Sequence, residues 1–179
     1  MRGLMWFRSD LRANDNTALF NASRHCRDGL LGVFFIPTQT WASYHMAPSK
    51  VDLILRQLKT LKAQLETANI PLWVITVDNY AECITQLKKI CADHDISAVY
   101  YNREYELNEL MRDEKVDRTL REAGVSTHPF DDLLIAPPGK ILTPKAKPYS
   151  VYSPRLKKPG SPGCPVMVIY NPWPCQNYK

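Results

Sequence analysis

The 179-residue chain has no apolar run approaching the roughly 18–20 residues that a membrane-spanning helix needs. Its start, MRGLMWFRSDLR, has neither a long apolar h-region nor a small-residue cleavage site, so a cytoplasmic protein without a membrane partner is expected. The five cysteines form no C-x-x-C pair and no regular spacing, which argues against a disulfide framework and a zinc ribbon. Four scattered histidines without H-x-x-x-H add no support for a metal site, and none is expected. Acidic residues are missing from residues 137–179, which hold seven Lys or Arg, so the chain's net +5 leaves −2 for residues 1–136. A strongly basic, nucleic-acid-binding globule is therefore not indicated by the charge of the part that can fold.

Proline is abundant only where acid is absent. Ten of the fourteen prolines follow Ala136, so regular structure is expected to stop near that residue. Before it, short continuous apolar runs alternate with helical patterns. Leu4–Phe7, Leu30–Ile36, Leu72–Val77 and Ala98–Tyr101 read as strands buried on both faces, with a weaker fifth at Ser126–Phe130. Val51, Leu55, Leu58, Leu61 and Leu65 recur at helical spacing, as do Tyr80, Ile84, Leu87 and Cys91 behind a capping Asp78 or Asn79. Further helices are expected from about Thr17 to Cys26 and from about Leu107 to Ala123, the latter stopped by Gly124. Strands alternating with single helices mean an α/β class: a three-layer, open, mostly parallel sheet of about five strands with helices on both faces. Ligands of such sheets gather beyond the carboxyl ends of the strands, which directs attention to the segments after Phe7, Ile36, Val77 and Tyr101.

The turn after the first strand, Arg8 to Asn16, contains no glycine, so the G-x-G-x-x-G cradle of dinucleotide folds is missing. Gly139-Lys140 is no phosphate loop, because Leu134 stands at its first glycine position and no Ser or Thr follows the lysine. Arg8, Asp10, Arg12 and Asp15 interleave there and are expected to form a local ion-pair lattice, while Asp15 or Asn16 caps the next helix. The stretch Pro37 to Pro48 is longer than the usual connection of roughly 2–6 residues in α/β units and offers Trp41, Tyr44, His45 and Met46 to a planar ligand or to the sheet end. After the fourth strand, Asn108 and Glu109 are the best binding candidates. A carboxylate and an amide there suit the amino group and ring nitrogens of a pterin-like heterocycle, and they equally suit the positive end of a helix dipole.

Several ordered motifs together resemble a family. Trp6-Phe7-Arg8-Ser9-Asp10-Leu11-Arg12, then Asp15-Asn16, resembles the W-F-R-x-D-L-R-x-x-D-N opening of DNA photolyases and cryptochromes. Trp41 to Pro48 is similar to their W-x-x-H-x-M-x-P loop, Tyr105 to Glu109 to Y-E-x-N-E, and Tyr149 to Pro154 to the Y-x-V-[FY]-[ST]-P segment that closes their first domain. The resemblance covers residues 1–154 and implies a Rossmann-like N-terminal domain that holds an antenna chromophore, usually 5,10-methenyltetrahydrofolate and in some members a deazaflavin. It implies that Asn108 and Glu109 hold the folate's pterin ring. The family's loop histidine falls at Tyr44, with His45 the next residue, so Tyr44 is the third candidate cofactor-binding residue and a deazaflavin remains open.

Catalysis in that family, the light-driven splitting of cyclobutane pyrimidine dimers, belongs to FAD in a separate C-terminal helical domain. That domain is the implied partner, damaged DNA is reached only through it, and no catalytic residue is assigned to this chain. The expected organisation is an antenna domain over residues 1–136, a domain-closing linker over 137–154 and an irregular Pro-rich tail over 155–179 from truncation or a frameshift. The expected role is light harvesting for a deoxyribodipyrimidine photolyase, inactive alone. The rivals are a cryptochrome-like signalling domain, a stand-alone folate- or nucleotide-binding module, and a non-functional remnant.

Overall fold

Apolar residues of both parities along the first strand have to be buried, and the fold answers with a cover on each side of one sheet. In the computed structural model the described residues are 1–134, 140, 142–143 and 145–147. The chain divides into a compact unit over Met1–Leu133 and a second unit over Leu134–Lys179. The first unit holds five strands, β1 (Arg2–Phe7), β2 (Leu30–Pro37), β3 (Leu72–Val77), β4 (Ile96–Asn102) and β5 (Ser126–Phe130). They form one sheet in the order β3-β2-β1-β4-β5, with every neighbouring pair parallel. The helices are α1 (Thr17–His25), α2 (Thr38–Ser43), α3 (Pro48–Thr67), α4 (Tyr80–Asp93) and α5 (Leu107–Glu122).

Alternation along β1 divides the core. Met5 and Phe7 pack with Ala18, Leu19 and Ala22 of α1 and with Leu58, Leu61 and Leu65 of α3. Leu4 and Trp6 point the other way, onto Cys83, Leu87, Ile90 and Cys91 of α4 and Val116 and Leu120 of α5. Each fully buried side chain of Leu or Phe size contributes about 1.5–3 kcal/mol, so these two layers are what keep the sheet between its helices. The expected three-layer, Rossmann-like α/β sheet is the observed architecture.

Local chemistry sets the boundaries. Asn16 caps α1 by accepting from the Leu19 N–H at 3.0 Å, and Asn79 caps α4 by accepting from the Ala81 and Glu82 N–H groups. Pro48 begins α3 at a position where its missing N–H costs nothing. Gly124, at φ +78°, ends α5 in a Schellman turn: its N–H reaches the Arg121 carbonyl and the Val125 N–H reaches that of Leu120. Two expectations need correction. The Pro37–Pro48 stretch is not all loop, since residues 38–43 form α2, whose Gln39 N–H donates to the Asp78 carbonyl beyond β3. The lattice expected within residues 8–15 is also not local, because its arginines find their carboxylates on distant segments, as described below. The chain's expected linker and tail fall almost wholly outside the described residues.

Candidate functional site

The strand order reverses between β1 and β4, where the chain turns to opposite faces, and a crevice is expected there. Here that crevice is filled by the protein's own polar side chains. The buried Asn102 amide at the end of β4 donates to Asp10 Oδ2 at 2.6 Å and to Asn16 Oδ1 at 2.9 Å, and its oxygen accepts from the Ala18 N–H at 3.1 Å. Beside it, Arg8 donates to Asp113 Oδ1 at 2.6 Å and to the Asn102 carbonyl. Arg112 donates to the same Asp113 oxygen and to Glu104 Oε2 at 2.9 Å. Arg12 pairs with Asp132, beyond β5. Burial pushes the Glu104 carboxyl up, but the Arg8 and Arg112 charges, with hydrogen bonds from Ser9 and Arg112, outweigh burial and hold it below its ordinary range.

Next to this filled crevice, over the ends of β1 and β2, lies an open cleft of about 270 Å³. Trp6 forms part of its wall, with the guanidinium carbons of Arg8 and Arg112 each 4.9 Å from the ring centre. Arg112 also lies 5.0 Å from the Tyr80 ring, and the Tyr80 hydroxyl donates to Glu109 Oε1 at 2.7 Å. Cys83 lines the cleft as a buried thiol that desolvation pushes up to about 12, so it is present as SH at neutral pH. The charged groups around the space are Arg8, Lys50 and Arg112 against Glu104, Glu106 and Glu109, a balance suited to a ligand of low net charge.

The polar groups around the cleft are not equally available to a ligand. The Arg8 Nε–H is closed off from the cleft that Arg8 borders, without a hydrogen-bond partner and with Glu104 Oε2 3.9 Å away. Glu109 uses one carboxylate oxygen on Tyr80, which leaves the other to accept from an N–H. An available acceptor between the aromatic walls of Trp6, Trp41 and Tyr80 matches a planar heterocycle that presents a ring N–H.

The candidate residues are not all brought together. Tyr44 and Glu109 line the cleft, Tyr44 at 47% exposure, whereas Asn108 is exposed and is not part of the lining. Of the loop residues, Trp41, Tyr44 and Met46 face the space; His45, at φ +50°, does not line it. Reading the sequence missed Lys50, Tyr80, Cys83 and Arg112. Tyr80 belongs to the apolar period of its helix, which assigns it to packing, Cys83 enters the sequence reading only as one of five unpaired thiols, and only the fold shows that the helix starts at the cleft. Among the described residues no cluster of three or more His, Cys, Asp and Glu could hold a metal, and no helix is long and apolar enough to cross a membrane.

The family model described as DNA photolyase matches residues 3–161. The chain belongs to the DNA photolyase family. It is 36% identical over 168 residues to the deoxyribodipyrimidine photo-lyase of Escherichia coli K12, covering 90% of this chain and 35% of that protein. It is 33% identical over 154 residues to the Synechococcus deoxyribodipyrimidine photo-lyase, covering 86% and 31%. The class III photolyase of Agrobacterium tumefaciens superposes with a TM-score of 0.67 at 25% identity, over 86% of this chain and 30% of that one. The Sulfolobus tokodaii photolyase, described as having two FAD molecules with the implication of a novel light-harvesting cofactor, gives 0.63 at 26% identity, over 76% and 31%. The chain thus spans roughly a third of the length of these photolyases.

Proposed function

We propose that this photolyase-family chain is a light-harvesting portion of a deoxyribodipyrimidine photo-lyase and that the cleft over β1 and β2 seats a conjugated heterocyclic antenna chromophore. The observation that carries the reading is the available Glu109 oxygen on an aromatic-walled space that Arg8, Lys50 and Arg112 also border. When bound, such a chromophore absorbs near-ultraviolet or blue light and passes the excitation on. The protein's own residues hold it: Glu109 accepts from its ring N–H, and Trp6, Trp41 and Tyr44 exclude water from its faces.

The first chromophore proposed is 5,10-methenyltetrahydrofolate, held by Asn108, Glu109 and Tyr44. A deazaflavin is the second reading, favoured by the way Glu109 turns inward to Tyr80 while Asn108 stays outside. Flavin chemistry on damaged DNA is assigned to the helical domain of the longer photolyases, so the chain alone repairs nothing. Leu107, Leu110 and Met111 are exposed on the first turns of α5, next to Glu106 and Glu109, and supply an apolar surface against which such a domain would pack.

Titration of the chain with each chromophore, followed by absorbance and fluorescence, tests the reading. Glu109→Gln removes a charge-assisted acceptor worth about 1.5–3 kcal/mol, so affinity is expected to fall about tenfold or more while the urea midpoint stays in place. Absence of binding by both chromophores, or binding indifferent to Glu109→Gln, would exclude this seat. Light-driven dimer splitting by the isolated chain would contradict its assignment as an accessory.

A further inference from the structure

Asn108 and Glu109 are consecutive residues in the first turn of α5, and consecutive helical positions diverge by about 100° around the axis. One helix turn therefore does not present both to a single small ring without a change in side-chain direction. The structure shows which way the turn is resolved. Glu109 is drawn to the first residue of α4, where the Tyr80 hydroxyl donates to Oε1 at 2.7 Å. Tyr80 is itself held: Arg112 lies 5.0 Å over its ring, and Arg112 is anchored by Asp113 and Glu104.

We infer that Tyr80 is a specificity-determining positioning residue, whose hydroxyl commits Glu109 to the cleft and withdraws it from the surface where Asn108 stands. The inference rests on the reading of the cleft as a chromophore seat. Tyr80 sets the choice between two ligand geometries. A flat flavin-type ring inside the cleft uses the inward carboxylate, whereas a pterin gripped by Asn108 and Glu109 together requires the Tyr80 bond to break. Burial first, and then the Glu109 carboxylate, push the Tyr80 phenol far up, so the hydroxyl keeps its donor proton throughout the physiological range.

Tyr80→Phe deletes the hydroxyl and keeps the ring under Arg112. Glu109→Asp shortens the carboxylate so that it no longer reaches Tyr80. With the 179-residue chain, 5-deazariboflavin and 5,10-methenyltetrahydrofolate serve as the two probes. Both variants are expected to lower the affinity for deazariboflavin relative to the folate about tenfold, the worth of one charge-assisted hydrogen bond. A merely structural role would weaken both probes alike, and that result, or an unchanged ratio, overturns the inference. A ligand-free readout separates its fate from that of the cleft. If wild type binds neither probe, the chromophore seat fails, and Tyr80 is judged by the ¹³C carboxyl resonance of Glu109. That resonance must move in Tyr80→Phe, and a resonance that stays in place overturns the inference by itself.

Discussion

The crevice between β1 and β4 and the cleft over β1 and β2 lie at the same carboxyl end of one sheet, and both draw on Arg8, Glu104 and Arg112. The first is filled by Asp10, Asn16 and Asn102 in mutual hydrogen bonds and by Asp113 bonded to Arg8 and Arg112, while the second stays open over about 270 Å³. The difference lies in what each leaves unsatisfied. In the crevice the Asn102 amide meets all of its polar partners internally, and only Asp113 Oδ2 and the Arg8 Nε–H stay buried without a hydrogen bond among its side-chain atoms. In the cleft, Glu109 keeps one carboxylate oxygen that neither Tyr80 nor the crevice network uses. A buried ion-pair cluster is weak evidence of stability, because desolvation offsets most of its attraction, but it is well suited to fixing Arg8 and Arg112 against Trp6.

Breaking the crevice should have the largest effect. Asp113→Ala leaves two buried guanidinium groups short of the carboxylate they share, and unfolding free energy is expected to fall by about 3–5 kcal/mol. Urea denaturation measures it, and a loss below about 1 kcal/mol would mean that the cluster is wetter than its burial indicates. Asp113 does not line the cleft, so any change in chromophore affinity reports the support that the crevice lends to the site.

Acid should separate the two regions next. Glu104 titrates lower when folded than its ordinary 4.5, so the stability it contributes is fully present above that pH and is lost as pH falls through its folded value. Urea midpoints measured below about pH 4.5 should therefore fall, and they should fall less steeply in Glu104→Gln. Equal slopes would place the acid-sensitive group elsewhere. The smallest effect belongs to the rim. Tyr44 is half exposed, so Tyr44→Ala should shift stability by no more than about 0.5 kcal/mol while weakening a seated chromophore a few-fold. A large stability loss there would show that the rim carries structural weight as well.

How much of this was legible in the sequence follows from what sets each feature. Strands β3 and β5 are bounded as their apolar runs and flanking turn residues indicate, and Asn16 and Asn79 cap where short polar side chains precede apolar periods. The ion pairs of residues 8–15 were misread as local because charge spacing shows which partners are near in sequence, not which segment arrives from α5 or beyond β5. The site was legible in part: the segments after the strands do surround the cleft, but Asn108 and Glu109 read as a pair and face different surroundings.

Local interactions, periodicity and capping are short-range, so the sequence by itself determined the α/β class, the element order and the residues available at the sheet's carboxyl end. The order of five strands decides which loops meet, and only the tertiary structure placed Asp113 on Arg8, closed the β1–β4 crevice and turned Glu109 to Tyr80. Those contacts join residues 29 and 105 positions apart, and their partners are chosen by burial and hydrogen-bond satisfaction once the layers have packed.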